Sequence, residues 1–428
     1  MERRTFLLGA SLALSARAAN DTVGIGVIGI GGRGRDHLRY YSKLPDARVV
    51  AICDVNQAQT ERGAQIVQNL GGNKPQVYQD LRKMFEDKSV DAVSIATPNH
   101  WHALATIWAC QAGKDVYCEK PASYNIFEGR QMVAAARREK RIVQIGMQSR
   151  SLAHKRRAME LLHNGAIGKV YMARGICFKR RPSIGHTPVE PVPPGLDWDL
   201  FLGPAPMREY TKNRYQYNWH WFWDTGNGDI GNQGIHEMDI ARWGLGRGLP
   251  KGVVSTGGKY IYDDDQETPN TQIATFDYGD AELVFEVRGL NTGGEPGIQA
   301  SGPNFIGVTF FGSNGFMAVD ERSFQIFLGD KREPGESMKH AEKEIDDTAA
   351  HMANFLKAVK SRNAADLTGD VEVGATSAAL FHLANISYRL GRELKFDSGT
   401  ESFVGDSEAN AMRSRPAYRK PYVAPEIG

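Results

Sequence analysis

The stretch VGIGVIGIGGRGRDHL, residues 23 to 38, decides the fold. An apolar, β-branched run leads into Gly29-x-Gly31-x-x-Gly34, and a helical pattern opens directly behind it. A lone GxGxxG says little. Between a strand and a helix it becomes the first turn of a βαβ unit that cradles a dinucleotide. Gly29 allows the tight turn, Gly31 lets the main chain approach a pyrophosphate, and Gly34 lets the helix pack on the strand. Gly32 and Arg33 complete the same loop. The helix start offers its N–H groups and positive dipole end to the phosphates.

Working outward, short apolar runs recur at RVVAICD, DAVSIAT, KDVYCE and RIVQIG. Helical-period stretches near 57–70, 101–112 and 125–139 separate them. Strands alternating with helices imply a doubly wound parallel sheet, a Rossmann domain over residues 21–148. The second strand ends at Asp54, about 20 residues past the glycines, where an acid accepts bonds from the adenosine ribose and repels a 2′-phosphate. NAD is therefore favoured over NADP.

From about 168 to 330 the texture changes. Runs such as GKVYMARGICFKR, GVVSTGGKYIYD, TQIATFDYG, AELVFEVRG, NFIGVTFFGS, GFMAVD and SFQIFLG are separated by Gly, Asn and Asp turns. With little helix between them, they predict a largely antiparallel sheet. This gives a second, α+β domain over residues 149–346, with an ordered Pro-rich loop and a helix near 234–244 inside it. Helices near 347–361 and 370–391 and an extended tail then make a C-terminal segment, 347–428, packing on both domains.

The totals exclude several classes. The chain has 428 residues, 52 Lys plus Arg against 50 Asp plus Glu, and a net charge of +2, so no basic excess points to nucleic acid. Past the N-terminus, no apolar run reaches the roughly 18 residues of a membrane span. Cys53, Cys110, Cys118 and Cys177 show no CxxC or zinc spacing and read as free and mostly buried. Residues 1–20, MERRTFLLGASLALSARAAN, have a signal-peptide layout, and Arg3-Arg4 resembles a twin-arginine export signal. The expected destination is the periplasm, or the cytoplasm if the signal does not function.

Open parallel sheets bind ligands beyond the carboxyl ends of their strands. Thr97, Pro98, Asn99 and His102 lie at one such end and Glu119-Lys120-Pro121 at another. That places Lys120 near a nicotinamide, where partial desolvation lowers an ammonium pKa toward a useful range for proton transfer. Gln148 and Arg150, just past the last Rossmann strand, are candidates for cofactor and substrate contact respectively.

Together, the GxGxxG start, TPNHWHA, AGKDVYCEKP and GNGDIGNQGIHEMDIARW resemble the Gfo/Idh/MocA oxidoreductases over residues 22 to 428. The resemblance implies a Rossmann domain, then an open-faced sheet domain, and hydride transfer between NAD(P) and a sugar, inositol or related polyol. It implies Lys120 as a catalytic residue and maps the family's Asp-x-x-x-His onto Asn232-x-x-x-His236. Asn232 orients a hydroxyl but neither carries charge nor accepts a proton. At i,i+4 spacing, Asn232 and His236 share one helical face. His236 is the second catalytic candidate, and a core histidine packed under Trp243 is the alternative. Asp239 is a candidate for orienting it, and no second histidine at helical spacing supports a metal site. Trp219, His220 and Trp221 lie in an aromatic run, YNWHWFW, suited to the CH faces of a sugar.

The expected activity is an NAD-dependent dehydrogenase of a sugar, glycoside or polyol, with Lys120 or His236 as base. Export sharpens this, because an enzyme working outside the cytoplasm must keep and regenerate its NAD. A glycosidase using transient oxidation at C3 and elimination is the first alternative, although the Y-P-T-H-G segment common to that group is absent. A non-catalytic NAD-binding sensor on the same fold is the second. The open sheet implies a homodimer or homotetramer.

Overall fold

A computed structural model describes residues 22–340 and 347–427. The leader expected over residues 1–20 lies outside the described residues. Six parallel strands form the first sheet: β1 (Val23–Ile28), β2 (Ala47–Cys53), β3 (Gln76–Tyr78), β4 (Ala92–Ile95), β5 (Asp115–Cys118) and β6 (Val143–Ile145). Their order is β3-β2-β1-β4-β5-β6, a doubly wound sheet whose strand order reverses beside β1. β1, β4, β5 and β6 are buried at every residue, because helices cover both faces. The main covering helices are α1 (Arg33–Tyr41), α2 (Gln57–Gly71), α3 (Leu81–Phe85), α4 (Asn99–Gln111) and α5 (Ile126–Arg138). β3 escapes a reading by hydrophobic pattern because it is three residues long and mostly exposed.

After α6 (Ala153–His163) the chain enters a mixed sheet through β7 (Val170–Phe178). Three helices, α7 (Trp198–Leu202), α8 (Gly228–Asn232) and α9 (Gly234–Leu245), precede β8 (Gly252–Gly258), β9 (Thr271–Asp277) and β10 (Glu282–Arg288). Five more strands follow: β11 (Ala300–Ser301), β12 (Asn304–Gly312), β13 (Gly315–Asp320), β14 (Ser323–Leu328) and β15 (Glu333–Lys339). Neighbouring pairs are antiparallel except β7 and β10, which run parallel at the centre. β9 alternates between buried and exposed residues, as expected where one face packs on helices and the other is open.

The C-terminal segment does more than pack as helices and tail. Within α10 (Asp347–Ser361), Met352 and Phe355 join the Rossmann core beside Val27 and Tyr117. α11 (Val371–Leu390) packs against both α5 and β8, tying the two domains together. The tail then adds β16 (Leu394–Asp397) alongside β8, and β17 (Ser402–Phe403) beyond it.

Candidate active site

The glycine turn has the backbone that its residues require. Gly29 has φ +83°, in the left-handed region. A Cβ on Gly34 would fall 1.7 Å from the Gly29 carbonyl oxygen, so only glycine lets α1 approach β1 this closely. Gly31 and Gly32 are the reverse case: a Cβ on either meets nothing within 4 Å. That open space, at a helix start whose N-cap supplies no side-chain bond, suits a pyrophosphate. At the end of β2, the Asp54 carboxylate accepts from the N–H groups of Ile30 (2.6 Å) and Asn56 (2.8 Å). Burial raises its pKa to about 6 while these two N–H groups pull it down. Its remaining lone pairs can take ribose hydroxyls. The residues therefore fit NAD.

A strap from the second domain covers this edge. Asn56 and Leu196 form a β-bridge, and Asp197 N–H donates to the Val55 carbonyl at 2.9 Å. Asn56 Nδ2 donates to Tyr215 Oη at 2.9 Å. Phe201 and Tyr215, stacked into a small aromatic cluster with Trp198, face the cavity from this strap.

The cavity encloses about 910 Å³ between the domains and is lined by Gly29, Gly31, Gly32, Arg33, Asp54, Thr97, Pro98 and Asn99 on the nucleotide side. His102 also touches it, with its ring nitrogens 2.7 Å from the carbonyls of Thr97 and Pro121, so it staples two strand-end loops together. Glu119 is buried and accepts from Arg33 Nε (2.9 Å) and Gln148 Nε2 (3.0 Å), with His37 Nε2 at 3.0 Å. Desolvation opposes its charge, but Arg33 and His37 prevail and hold the carboxyl well below the usual range. Glu119, Arg33 and Gln148 thus form one hydrogen-bonded clamp beside Lys120.

Lys120 is half-buried, and its Nζ donates to the Asn232 carbonyl oxygen at 3.0 Å and Asn232 Oδ1 at 3.3 Å. Desolvation lowers its pKa to about 8, against the pull of Glu119. His236 lines the same space; burial, with Lys120 next in effect, drives its pKa down to about 3. Its Nδ1 is buried without a partner among the described residues. Asn232 Nδ2 donates to Tyr217 Oη (3.0 Å) and Asp229 Oδ1 (3.3 Å). A carboxylate is therefore present one layer behind Asn232, but Arg181 binds Asp229 through two bonds of 2.6 and 2.9 Å.

Trp219 and His220 line the cavity, with rings stacked 3.6 Å apart between centroids. His220 Nδ1 sits 2.6 Å from the Tyr217 carbonyl, and burial holds its pKa well below the ordinary value. Three expected substrate contacts, Trp221, Arg150 and Asp239, lie away from the cavity lining. Trp221, 4% exposed, does not line the cavity; it turns into the core with Arg181 over its ring. In a 3-10 turn, residues two apart point to different sides, so Trp219 and Trp221 separate. Arg150 and Asp239 also miss the cavity. They are buried against each other through bonds of 2.7 and 2.8 Å, with Ser377 donating to Asp239 and Trp243 stacked on the guanidinium. Asp239 therefore cannot orient His236. Sequence reasoning missed Arg181, Lys179 and Lys155. The basic run after β7, Lys179-Arg180-Arg181, was a usable signal, whereas Lys155 sits in an unremarkable polar helix.

Among the described residues no group of three or more His, Cys, Asp or Glu is arranged to hold a metal ion, and no helix is long and apolar enough to cross a membrane. The family model for the NAD-binding Rossmann fold of the Gfo/Idh/MocA oxidoreductases matches residues 23–147, and that for their C-terminal alpha/beta domain matches 169–266 and 324–424. A myo-inositol 2-dehydrogenase of Thermotoga maritima is 26% identical over 381 residues, covering 87% of this chain and 98% of that protein. A glycosyl hydrolase family 109 protein of Saccharopolyspora erythraea is 30% identical over 172 residues, 39% of this chain and 37% of that protein. The WlbA dehydrogenase of Bordetella pertussis, solved with NADH and UDP-GlcNAcA, superposes with a TM-score of 0.64 at 20% identity, over 88% of this chain and 99% of that one, and shares the fold. The chain belongs to the Gfo/Idh/MocA oxidoreductase family, with NAD held by its N-terminal domain.

Proposed function

We propose that the protein oxidises a hydroxyl-bearing carbon of a sugar, glycoside or polyol and keeps its NAD bound between turnovers. The observation that carries this is Lys120: a desolvated amine with a pKa of about 8, donating to Asn232 and facing a cavity that joins the glycine cradle to an aromatic wall. NAD supplies the hydride acceptor when bound. Two donations to Asn232 leave Lys120 one further position, which in the neutral amine is a lone pair. That lone pair takes the hydroxyl proton. His236, at about 3, is too weak a base at neutral pH and serves as a neutral hydrogen-bonding partner for the same hydroxyl. Asn232 has a consequence here, because a carboxylate in its place would raise the lysine pKa. The strap over the adenosine edge favours retention of NAD rather than NADP exchange, and Asp54 disfavours a 2′-phosphate.

The test is absorbance near 340 nm when the NAD-loaded protein is mixed with sugars and polyols. Reduction supports the dehydrogenase. Release of an aglycone without net reduction supports the glycosidase, the activity class in the name of one partial relative. Neither, across a broad panel, supports a sensor. We further propose that residues 1–20 direct export to the periplasm, which Arg3→Lys with Arg4→Lys should abolish in cell fractionation. The open sheet face carries Tyr171, Ile273 and a cross-strand row of Phe311, Phe316 and Phe327, and supports a homodimer or homotetramer. Sedimentation measures that directly.

A further inference from the structure

Past the reacting groups, the cavity ends in a pole that hydride transfer does not use. It is built by Ser149 from the 3-10 turn Gln148–Ser151, Lys155 from the start of α6, Gln233 and Glu237 from the N-cap and first turn of α9, and Glu321 in the turn between β13 and β14. Lys155 is only 4% exposed, yet it lines the cavity. Its Nζ donates to Ser149 Oγ at 3.1 Å and, among the described residues, joins no ion pair. Glu237 is also 4% exposed, and its Oε2 is buried with no partner among the described residues.

Among the described residues, the charges around this pole do not cancel. Burial raises the Glu237 carboxyl to about 8, with Lys155 pulling it back, so near neutral pH it is mostly protonated. It then donates a hydrogen bond and does not neutralise Lys155. Lys179, behind the pole, gives its Nζ to Gln233 Oε1 at 2.8 Å, and Lys120 gives its own to Asn232; neither forms an ion pair among the described residues. The nearby acids are otherwise engaged. Glu119 is clamped by Arg33 and His37, and Asp229 is bound by Arg181. Glu321 stands exposed at the rim, where water screens it. Burying an ammonium without a counter-charge is costly, and an anionic ligand removes that cost.

We propose that this pole receives an anionic oxygen group on the substrate, a carboxylate or a phosphate, bound by the Lys155 ammonium and the Glu237 and Ser149 hydroxyls. The preferred substrates are then acidic sugars rather than neutral ones. This rests on the hydride-transfer reading for turnover, but not for binding.

The experiment uses the NAD-loaded full chain and matched sugars: glucose with glucuronate and glucose 6-phosphate, and galactose with galacturonate. Calorimetric binding and 340 nm turnover are measured for each. The acidic member of a pair should bind about tenfold or more tightly, the scale of one charge-assisted hydrogen bond, with a preference that weakens in salt. Lys155→Met should lower the acid-to-neutral ratio about tenfold, and Lys155→Arg should restore part of it. Glu237→Gln, which keeps a donor, should hold the preference above pH 8, where the parent protein loses it. The uronate and phosphate arms show which anion the pole takes. Equal binding of neutral and acidic sugars, or a ratio unmoved by Lys155→Met, overturns the proposal. Acid-selective binding with no reduction of NAD keeps the pole and sinks the dehydrogenase; turnover of neutral sugars alone does the reverse.

Discussion

The two walls of the cavity are made in opposite ways. The nucleotide wall consists of short continuous segments at the carboxyl ends of β1, β2, β4 and β5. Parallel topology brings these ends to one edge without help from side chains. The facing wall collects Gln148, Lys155, Trp219, Asn232, His236 and Glu321 from segments far apart in the chain. It exists only because α9 docks on the second sheet and because buried ion pairs hold it there. The first wall should therefore respond to backbone crowding, and the second to loss of charge partners.

The largest effect tests the second wall. Arg150→Ala leaves Asp239 buried without its counter-charge and should cost about 3–5 kcal/mol in denaturant unfolding. A loss under about 1 kcal/mol would mean that the pair is not what anchors α9.

Next is the join between the walls. Lys120→Ala should cut turnover about 10²-fold or more while NAD stays bound. With the neutral amine as the proposed proton acceptor, oxidation should speed up as pH rises through about 8. Reduction in the reverse direction should show the opposite trend. Asn232→Asp puts a carboxylate against the amine and should move that limb up by about one pH unit. A limb that stays put would assign the titration to another group.

Gly31→Ala probes the first wall. The new methyl meets no atom of the described residues, so stability should stay within about 0.5 kcal/mol, yet it occupies the proposed phosphate cradle. NAD affinity should fall about tenfold in fluorescence titration; unchanged affinity would place the pyrophosphate elsewhere. The smallest effect is expected from Asp54→Ala, a severalfold weaker NAD affinity with relaxed discrimination against NADP. Retained selectivity would mean that the ribose is read by other groups.

Legibility follows the same division. Apart from the short, exposed β3, the Rossmann strands were readable because burial leaves uninterrupted apolar runs. β15 was not, because Glu333–Lys339 is a polar edge strand that exists by pairing with β14 and has no apolar alternation of its own. Lys120, His236 and Asn232 could be found from their motifs, and the structure brings all three together. Arg150 and Asp239 looked like site residues from their positions, yet lie 89 residues apart in a mutual ion pair that nothing local announces.

By itself, the sequence determined the glycine turn, the alternation of strands and helices around it that makes a doubly wound parallel sheet, and the acid at the end of β2. Each of these depends on sterics and hydrogen bonding within a few residues or between adjacent strands. The tertiary structure alone decided which charges remain uncompensated. Lys120 lowered to about 8, Glu237 raised to about 8 and Lys155 without an acid partner among the described residues are consequences of desolvation and of ion pairs closed elsewhere. Those energies depend on which distant side chains meet in the folded chain, and no local pattern encodes them.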